Sequence, residues 1–136
     1  MNKLSKITCC LLAVTTLSFG HGDVTPQAMD TKGLPKVSDD VMVNPLRGNA
    51  TAIEVGKSGY NTNCARCHGL GAVSGGVAPD LRYLEAGDDD TDEYFVNKVL
   101  DGAVRNGNVY MPPFKGVLSN EAVWAIRTWI ETIPAD

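Results

Sequence analysis

Apolar positions along the chain fall into three stripes of helical period, set between segments rich in glycine and proline. From 52 to 63, Ile53, Gly56 and Tyr60 recur at three- and four-residue steps and lead into Cys64, which predicts one helix face. Phe95, Val96, Val99 and Leu100 form a second stripe. Thr91 is placed to cap that helix, Asp92 and Glu93 suit its first turn, and Gly102 suits its end. A third stripe runs through Ala122, Ile126, Trp129, Ile130 and Ile133, with Ser119 as its cap and Pro134 as its stop. The expectation is an all-α domain. Each helix is short, so the three together bury little apolar surface without a further core component.

The remaining segments read differently. Lys3 and Lys6 precede eleven mostly apolar residues, Ile7 to Leu17, and Ser18-Phe19-Gly20 offers small residues at the −3 and −1 positions of a cleavage site. That is the pattern of a secretory signal peptide over residues 1–20, cleaved after Gly20, and it predicts export to the periplasm. Residues 21–50 hold Pro26, Pro35, Pro45, Gly33 and Gly48 among polar positions and predict an irregular arm rather than a second domain, leaving 51–136 as the helical domain. Met29 and Met42 read as ordinary contacts of that arm. Asn49-Ala50-Thr51 formally matches a glycosylation acceptor, a pattern common by chance. The loop with Gly69, Gly71, Gly75 and Gly76 lacks the preceding strand that a nucleotide-binding loop requires.

Composition narrows the function. The 136 residues are 43% hydrophobic and 21% charged, a globular balance with no run long enough to span a membrane. A formal charge of −4, becoming −6 once residues 1–20 are removed, argues against nucleic acid as a partner. Removal of that segment also takes Cys9 and Cys10, leaving Cys64 and Cys67 with His21 and His68.

Those two cysteines stand in Cys64-Ala65-Arg66-Cys67-His68, the attachment pattern of haem c. Two thiols one helical turn apart can add to the two vinyl groups on one porphyrin edge, and the next residue can carry its imidazole to the iron. A zinc site would want a second ligand pair, which the sequence lacks. A thioredoxin-like redox pair would want a strand before it and an α/β pattern around it. For the opposite face of the iron, Met111 is the candidate. It stands in Tyr110-Met111-Pro112-Pro113-Phe114, forty-three residues after His68, where two prolines predict an extended, stiff loop. Imidazole and thioether together are the ligands of electron-transfer haem and raise its potential.

With these residues the chain resembles class I cytochromes c over about residues 50–136: the Cys64–His68 box, Pro79-x-Leu81, Met111-Pro112 and a final aromatic helix. The resemblance implies a small helical bundle around one covalently bound haem, Cys64 and Cys67 as its attachment points, and His68 and Met111 as iron ligands. It further implies that the Pro79 carbonyl accepts a hydrogen bond from the other nitrogen of His68, with Ala78 standing where the family has glycine. The first and last helices would cross at Gly56 and Tyr60, with Trp129 the aromatic that meets Gly56.

The function implied is a soluble, monomeric, periplasmic one-electron carrier without catalytic residues. His21-Gly22-Asp23-Val24-Thr25-Pro26-Gln27, Val43-Asn44-Pro45 and the Met111 segment further resemble the cytochromes c that accept electrons from PQQ-dependent alcohol (ethanol) dehydrogenases, with a terminal oxidase or another cytochrome as acceptor. Two alternatives stay open: a haem c subunit of a different periplasmic oxidoreductase complex, and a gas-binding or peroxidase-like haem protein. Six acids between 85 and 93 (Glu85, Asp88, Asp89, Asp90, Asp92 and Glu93) fail the calcium-loop template, because Glu93 and Val99 occupy its glycine and glutamate positions. They read as a solvated approach to a helix N-terminus or as a docking patch for a partner.

Overall fold

A computed structural model describes residues 25–135; the expected signal peptide, its cleavage point and His21 lie outside the described residues. Within them the chain forms α1 (Ala50–Asn63), α2 (Ala65–His68), α3 (Asp89–Asp101), a hairpin of β1 (Ala103–Arg105) and β2 (Asn108–Met111), and α4 (Asn120–Ile130). Single 3-10 turns at Leu70–Ala72 and Leu81–Tyr83 punctuate the loop between α2 and α3.

Local capping explains where the helices begin. Asn49, the asparagine of the Asn-x-Thr pattern, caps α1 by accepting a hydrogen bond from the Ala52 N–H at 3.0 Å. Ser119 caps α4 as expected, accepting from the Ala122 N–H. The cap of α3 is Asp88, not Thr91. Its carboxylate accepts from the Thr91 N–H at 2.8 Å and the Thr91 hydroxyl at 2.6 Å, so the helix starts at Asp89. Aspartate is the better cap of the two, and the earlier start places three acids in the first turn, where the helix dipole favours them.

Helix α4 is the centre of the core. It is buried from Glu121 through Ile130 and packs chiefly on α1. The crossing lies at Gly56, where a Cβ would overlap the carbonyl group of Ala125, so the two backbones touch. The atoms nearest the missing Gly56 side chain are backbone atoms of Ala125 and Ile126. Trp129 lies one turn further along α4 and packs on Tyr60, ring centroids 4.6 Å apart and tilted by 44°. On α3 the expected stripe of Phe95, Val96 and Val99 is buried against this pair.

The domain is mostly helical rather than all-α. Between α3 and α4, β1 and β2 pair antiparallel, Val104 opposite Val109 and Arg105 opposite Asn108. The link is Asn106-Gly107, both left-handed at φ 51° and 77°, as a type I′ hairpin turn requires. Met111 is the last residue of β2, so the expected stiff loop around it is half strand. Pro112 and Pro113, which have no N–H to donate, end the ladder there.

The described part of the arm is tied down by polar bonds at several points. Gln27 and Asn63 exchange two hydrogen bonds, of 2.8 and 3.1 Å. The Val37 N–H donates to Glu121 at 3.1 Å, and Asn120 donates to the Val37 carbonyl. Leu46 is fully buried, and Met29 lies against Gly59 of α1.

One acid of the 85–93 cluster is not on the surface. Asp92 is wholly buried, one oxygen accepting from Arg127 Nε at 2.8 Å and the other from Arg47 at 2.6 Å and the Asn44 N–H at 2.8 Å. Arg127, equally buried, also donates to the Glu85 carbonyl at 2.6 Å, and its guanidinium lies 5.9 Å from the centre of the Phe95 ring. Glu131 completes the network on Arg47 and Asn44. Asp92 therefore belongs to no docking patch: it joins the arm to α3 and α4. Its sequence position three and four residues before Phe95 and Val96 already lies on the core stripe.

Removing one member of such a network strands the others without water. Asp92→Ala is expected to lower the unfolding free energy by about 3–5 kcal/mol, whereas Asp90→Ala on the exposed side should stay within about 0.5 kcal/mol of the parent. Denaturant melts of the two variants check this; equal losses would show that Asp92 contributes no more than a surface acid.

Candidate haem site

Helix α2 is a single turn that begins where α1 ends. The Cys67 and His68 N–H groups both donate to the Cys64 carbonyl, at 3.1 and 3.0 Å, so the two thiols are one turn apart and the imidazole follows directly. Both cysteines are free and half-buried. Burial, helped by the neighbouring Cys67 sulfur, pushes the Cys64 thiol up to about 12. Among the described residues no group of three or more His, Cys, Asp or Glu side chains is clustered together as a metal site.

His68 Nδ1 lies 2.8 Å from the Pro79 carbonyl, the contact expected from the Ala78-Pro79-Asp80-Leu81 segment. A carbonyl oxygen can only accept, so in the neutral ring Nδ1 carries the hydrogen and Nε2 keeps its lone pair. The fold thus selects the tautomer that offers Nε2 to a metal.

The loop that brings Pro79 to His68 is internally bonded. Tyr60 donates its hydroxyl hydrogen to the Gly69 carbonyl at 2.8 Å, fixing the chain just after His68. Further on, the Asp80 carboxylate accepts from the Ser74 N–H at 3.1 Å, the Arg82 N–H at 3.0 Å and the Arg82 guanidinium at 3.0–3.1 Å. Ser74 donates its hydroxyl to the Ala78 carbonyl and accepts from the Gly76 N–H. The Arg82 side chain, ahead of the backbone donors, holds the Asp80 carboxyl well below its ordinary value, at about 2. Neither Ser74 nor Asp80 stood out in the sequence, because their partners are set by how the loop turns.

Met111 arrives from a different segment, tied to α3 rather than α2. The Phe114 and Lys115 N–H groups donate to the Val99 and Leu100 carbonyls at 3.0 and 3.2 Å, so the Met111 segment satisfies carbonyls that α3 leaves free at its C-terminal end. Behind Met111, the Pro112–Pro113 backbone lies on Gly102; a Cβ there would come within 2.8 Å of the Pro113 nitrogen. Phe114 is buried and Met111 is half-buried against the core. The structure therefore joins Cys64, Cys67 and His68 on one turn and holds Met111 on separate support.

Two thiols, an imidazole with a free Nε2 and a thioether are the donor set that haem c takes. The surroundings also suit a porphyrin. Leu70, Val73, Val77 and Tyr83 on the loop after His68, and Val104, Val109 and Tyr110 on the hairpin before Met111, present exposed apolar side chains of the kind that its faces cover.

A mostly helical domain with this box and these supports defines a small covalent-haem protein. A family model described as cytochrome c oxidase, cbb3-type, subunit III matches residues 51–130. The chain is 50% identical over 130 residues to cytochrome c550 of Pseudomonas aeruginosa, spanning 92% of this chain and 89% of that one. It is 36% identical over 111 residues to the quinohemoprotein alcohol dehydrogenase ADH IIB of Pseudomonas putida, 82% of this chain but 15% of the dehydrogenase. The solved structure of quinohemoprotein alcohol dehydrogenase ADHIIG from Pseudomonas putida HK5 aligns with a TM-score of 0.52 and 34% identity, over 72% of this chain and 14% of that one. The chain belongs to the cytochrome c family: it is an electron-transfer protein, not an enzyme, and its cofactor is covalently attached haem c.

The Asp80 clasp carries a pH dependence. Its carboxyl titrates near ~3.9 in an unfolded chain and at about 2 in the folded one, so the folded state binds fewer protons between those values. The stabilisation is fully present above the unfolded value and is lost as pH falls through about 2. Followed by NMR in the haem-loaded protein, the Ser74 amide should titrate near pH 2 rather than near 4; a midpoint near 4 would show that Arg82 does not hold the carboxylate.

Proposed function

We propose that this cytochrome is a soluble, monomeric, periplasmic one-electron carrier with a single haem c. Cys64 and Cys67 would carry the thioethers, and His68 and Met111 would hold the iron from its two sides. The observation that supports this reading is the 2.8 Å contact between His68 Nδ1 and the Pro79 carbonyl, which leaves the Nε2 lone pair available to a metal. When bound, the haem supplies a single electron site that alternates between ferric and ferrous iron. The chain's own contribution is to hold the donors still. His68 is fixed at its outer nitrogen, and Met111 is anchored through the bonds of Phe114 and Lys115 to α3. Held by both His68 and Met111, the iron would leave no place for a substrate or gas, which favours the carrier over the peroxidase-like and gas-binding alternatives.

The donor we propose is a PQQ-dependent alcohol dehydrogenase acting on ethanol or a similar alcohol, with a terminal oxidase or another cytochrome as acceptor. Support comes from the likeness to two quinohemoprotein alcohol dehydrogenases, in which a stretch similar to this chain belongs to the same polypeptide as the dehydrogenase. Near-full-length likeness to cytochrome c550 favours a separate carrier over a fused or permanently bound subunit. The pattern of residues 1–20 supports export to the periplasm.

Stopped-flow mixing of the oxidised protein with a quinoprotein alcohol dehydrogenase and ethanol tests the donor. Reduction well above the rate without alcohol is expected; a rate independent of alcohol would remove this donor. For the ligand, Met111→Ala should abolish the weak red absorption band of ferric iron–sulfur bonding, lower the potential and let the ferrous protein bind carbon monoxide quickly. An unchanged spectrum and potential would assign the sixth ligand to another residue.

A further inference from the structure

The Pro79 carbonyl is an acceptor on an exposed loop, and something must keep it at 2.8 Å from His68. Between Ser74 and Pro79 the backbone makes no hydrogen bond to other backbone, Pro79 has no N–H of its own, and Gly75 and Gly76 are costly to order. What the structure shows is a fastening on each side of the proline. On one side, the Ser74 hydroxyl donates to the Ala78 carbonyl. On the other, the Asp80 carboxylate reaches back to the Ser74 N–H and forward to the N–H and guanidinium of Arg82. Ser74 thus meets both neighbours of Pro79, closing the loop on itself around the peptide unit that His68 uses.

We propose that Ser74 and Asp80 are positioning residues for the iron-ligating imidazole, setting through the Pro79 carbonyl how strongly His68 donates to the haem and hence the reduction potential. This rests on the reading of His68 as an axial ligand. A hydrogen bond from Nδ1–H to an acceptor raises the basicity of a metal-bound imidazole. A more basic imidazole favours the ferric state. Fastening the acceptor keeps the potential down, and releasing it lets the potential rise. The clasp touches neither His68 nor the other candidate ligands, so its effect runs through one carbonyl. Ala78 fits this role although glycine is the family's residue there, because the clasp uses its backbone oxygen and not its side chain.

The test uses the haem-loaded protein and two measurements, the midpoint potential and the exchange rate of the His68 Nδ1 proton in the reduced state by NMR. In the parent, haem that survives acid and organic extraction, together with an observable Nδ1 proton, establishes the ligand reading; if either is missing, that reading falls and takes the proposal with it. With both present, Ser74→Ala and Asp80→Ala are each expected to raise the ratio of reduced to oxidised protein at a fixed solution potential several-fold. They should also speed Nδ1 proton exchange, while the red band due to Met111 persists. Ser74→Thr, which keeps the hydroxyl, should restore both values to those of the parent. Should Asp80→Ala not accumulate as a folded protein, the serine pair alone decides. Potential and exchange rate that match the parent in Ser74→Ala overturn the proposal, even where its melting temperature falls, because that result marks a clasp that stabilises the loop without tuning the ligand.

Discussion

At the crossing of α1 and α4 the two backbones meet with only the hydrogen of Gly56 between them and the Ala125 carbonyl. Because α4 is buried along nearly its whole length, it acts as the fixed axis of the domain, and the depth of this contact sets where α1 lies. The end of α1 sets Cys64, the single turn of α2 follows, and His68 is thereby placed relative to α4. One turn on from Gly56, Tyr60 serves both arrangements. Its ring packs on Trp129 at the crossing, and its hydroxyl holds the Gly69 carbonyl beside His68. A side chain larger than glycine at position 56 would push α1 outward and move the whole attachment turn with it.

The second organising element is polar. Asp92, Arg127, Arg47 and Glu131 carry opposing charges into a region where Asp92 and Arg127 have no access to solvent. Taking such ions out of water is expensive, and the network is tolerable because a hydrogen bond from the Asn44 N–H to Asp92 and one from Arg127 to the Glu85 carbonyl use much of its remaining capacity. Its geometric consequence is that α3, α4 and the arm are locked together at one point. Since α3 in turn holds the Met111 segment through the Val99 and Leu100 carbonyls, the charged network and the candidate methionine ligand lie at opposite ends of the same helix.

For an electron carrier the useful property of this arrangement is stillness. The candidate ligands come from two separate pieces of chain: the Met111 segment is secured by backbone hydrogen bonds to α3, and the loop that meets His68 is secured by the side chains of Tyr60, Ser74 and Asp80. The exposed apolar side chains on the loop after His68 and on the hairpin before Met111 sit on those same two pieces.

Much of this was legible in the chain itself. The Cys64–His68 box, Met111-Pro112, the stripes of α1, α3 and α4 and the caps at Ser119 and Gly102 are local patterns, and local patterns are decided by backbone geometry over a few residues. Asn106-Gly107 was equally local, and its left-handed turn between Val104 and Val109 is what makes the domain mostly helical rather than wholly so. Other features depended on segments distant in sequence. Which part of α4 meets Gly56 depends on the angle and offset at which two helices pack, which no periodicity along one of them contains. Asp92 reads as one more acid in a solvated run until Arg47, forty-five positions earlier, and Arg127, thirty-five later, are folded against it. The hold of Ser74 and Asp80 on the loop around Pro79 spans only four to six residues, but it forms only once the loop has turned back on itself and brought donor and acceptor within hydrogen-bond reach. Sequence alone determined which atoms could bind a haem; the tertiary structure decided which tautomer, which support and which neighbours those atoms were given.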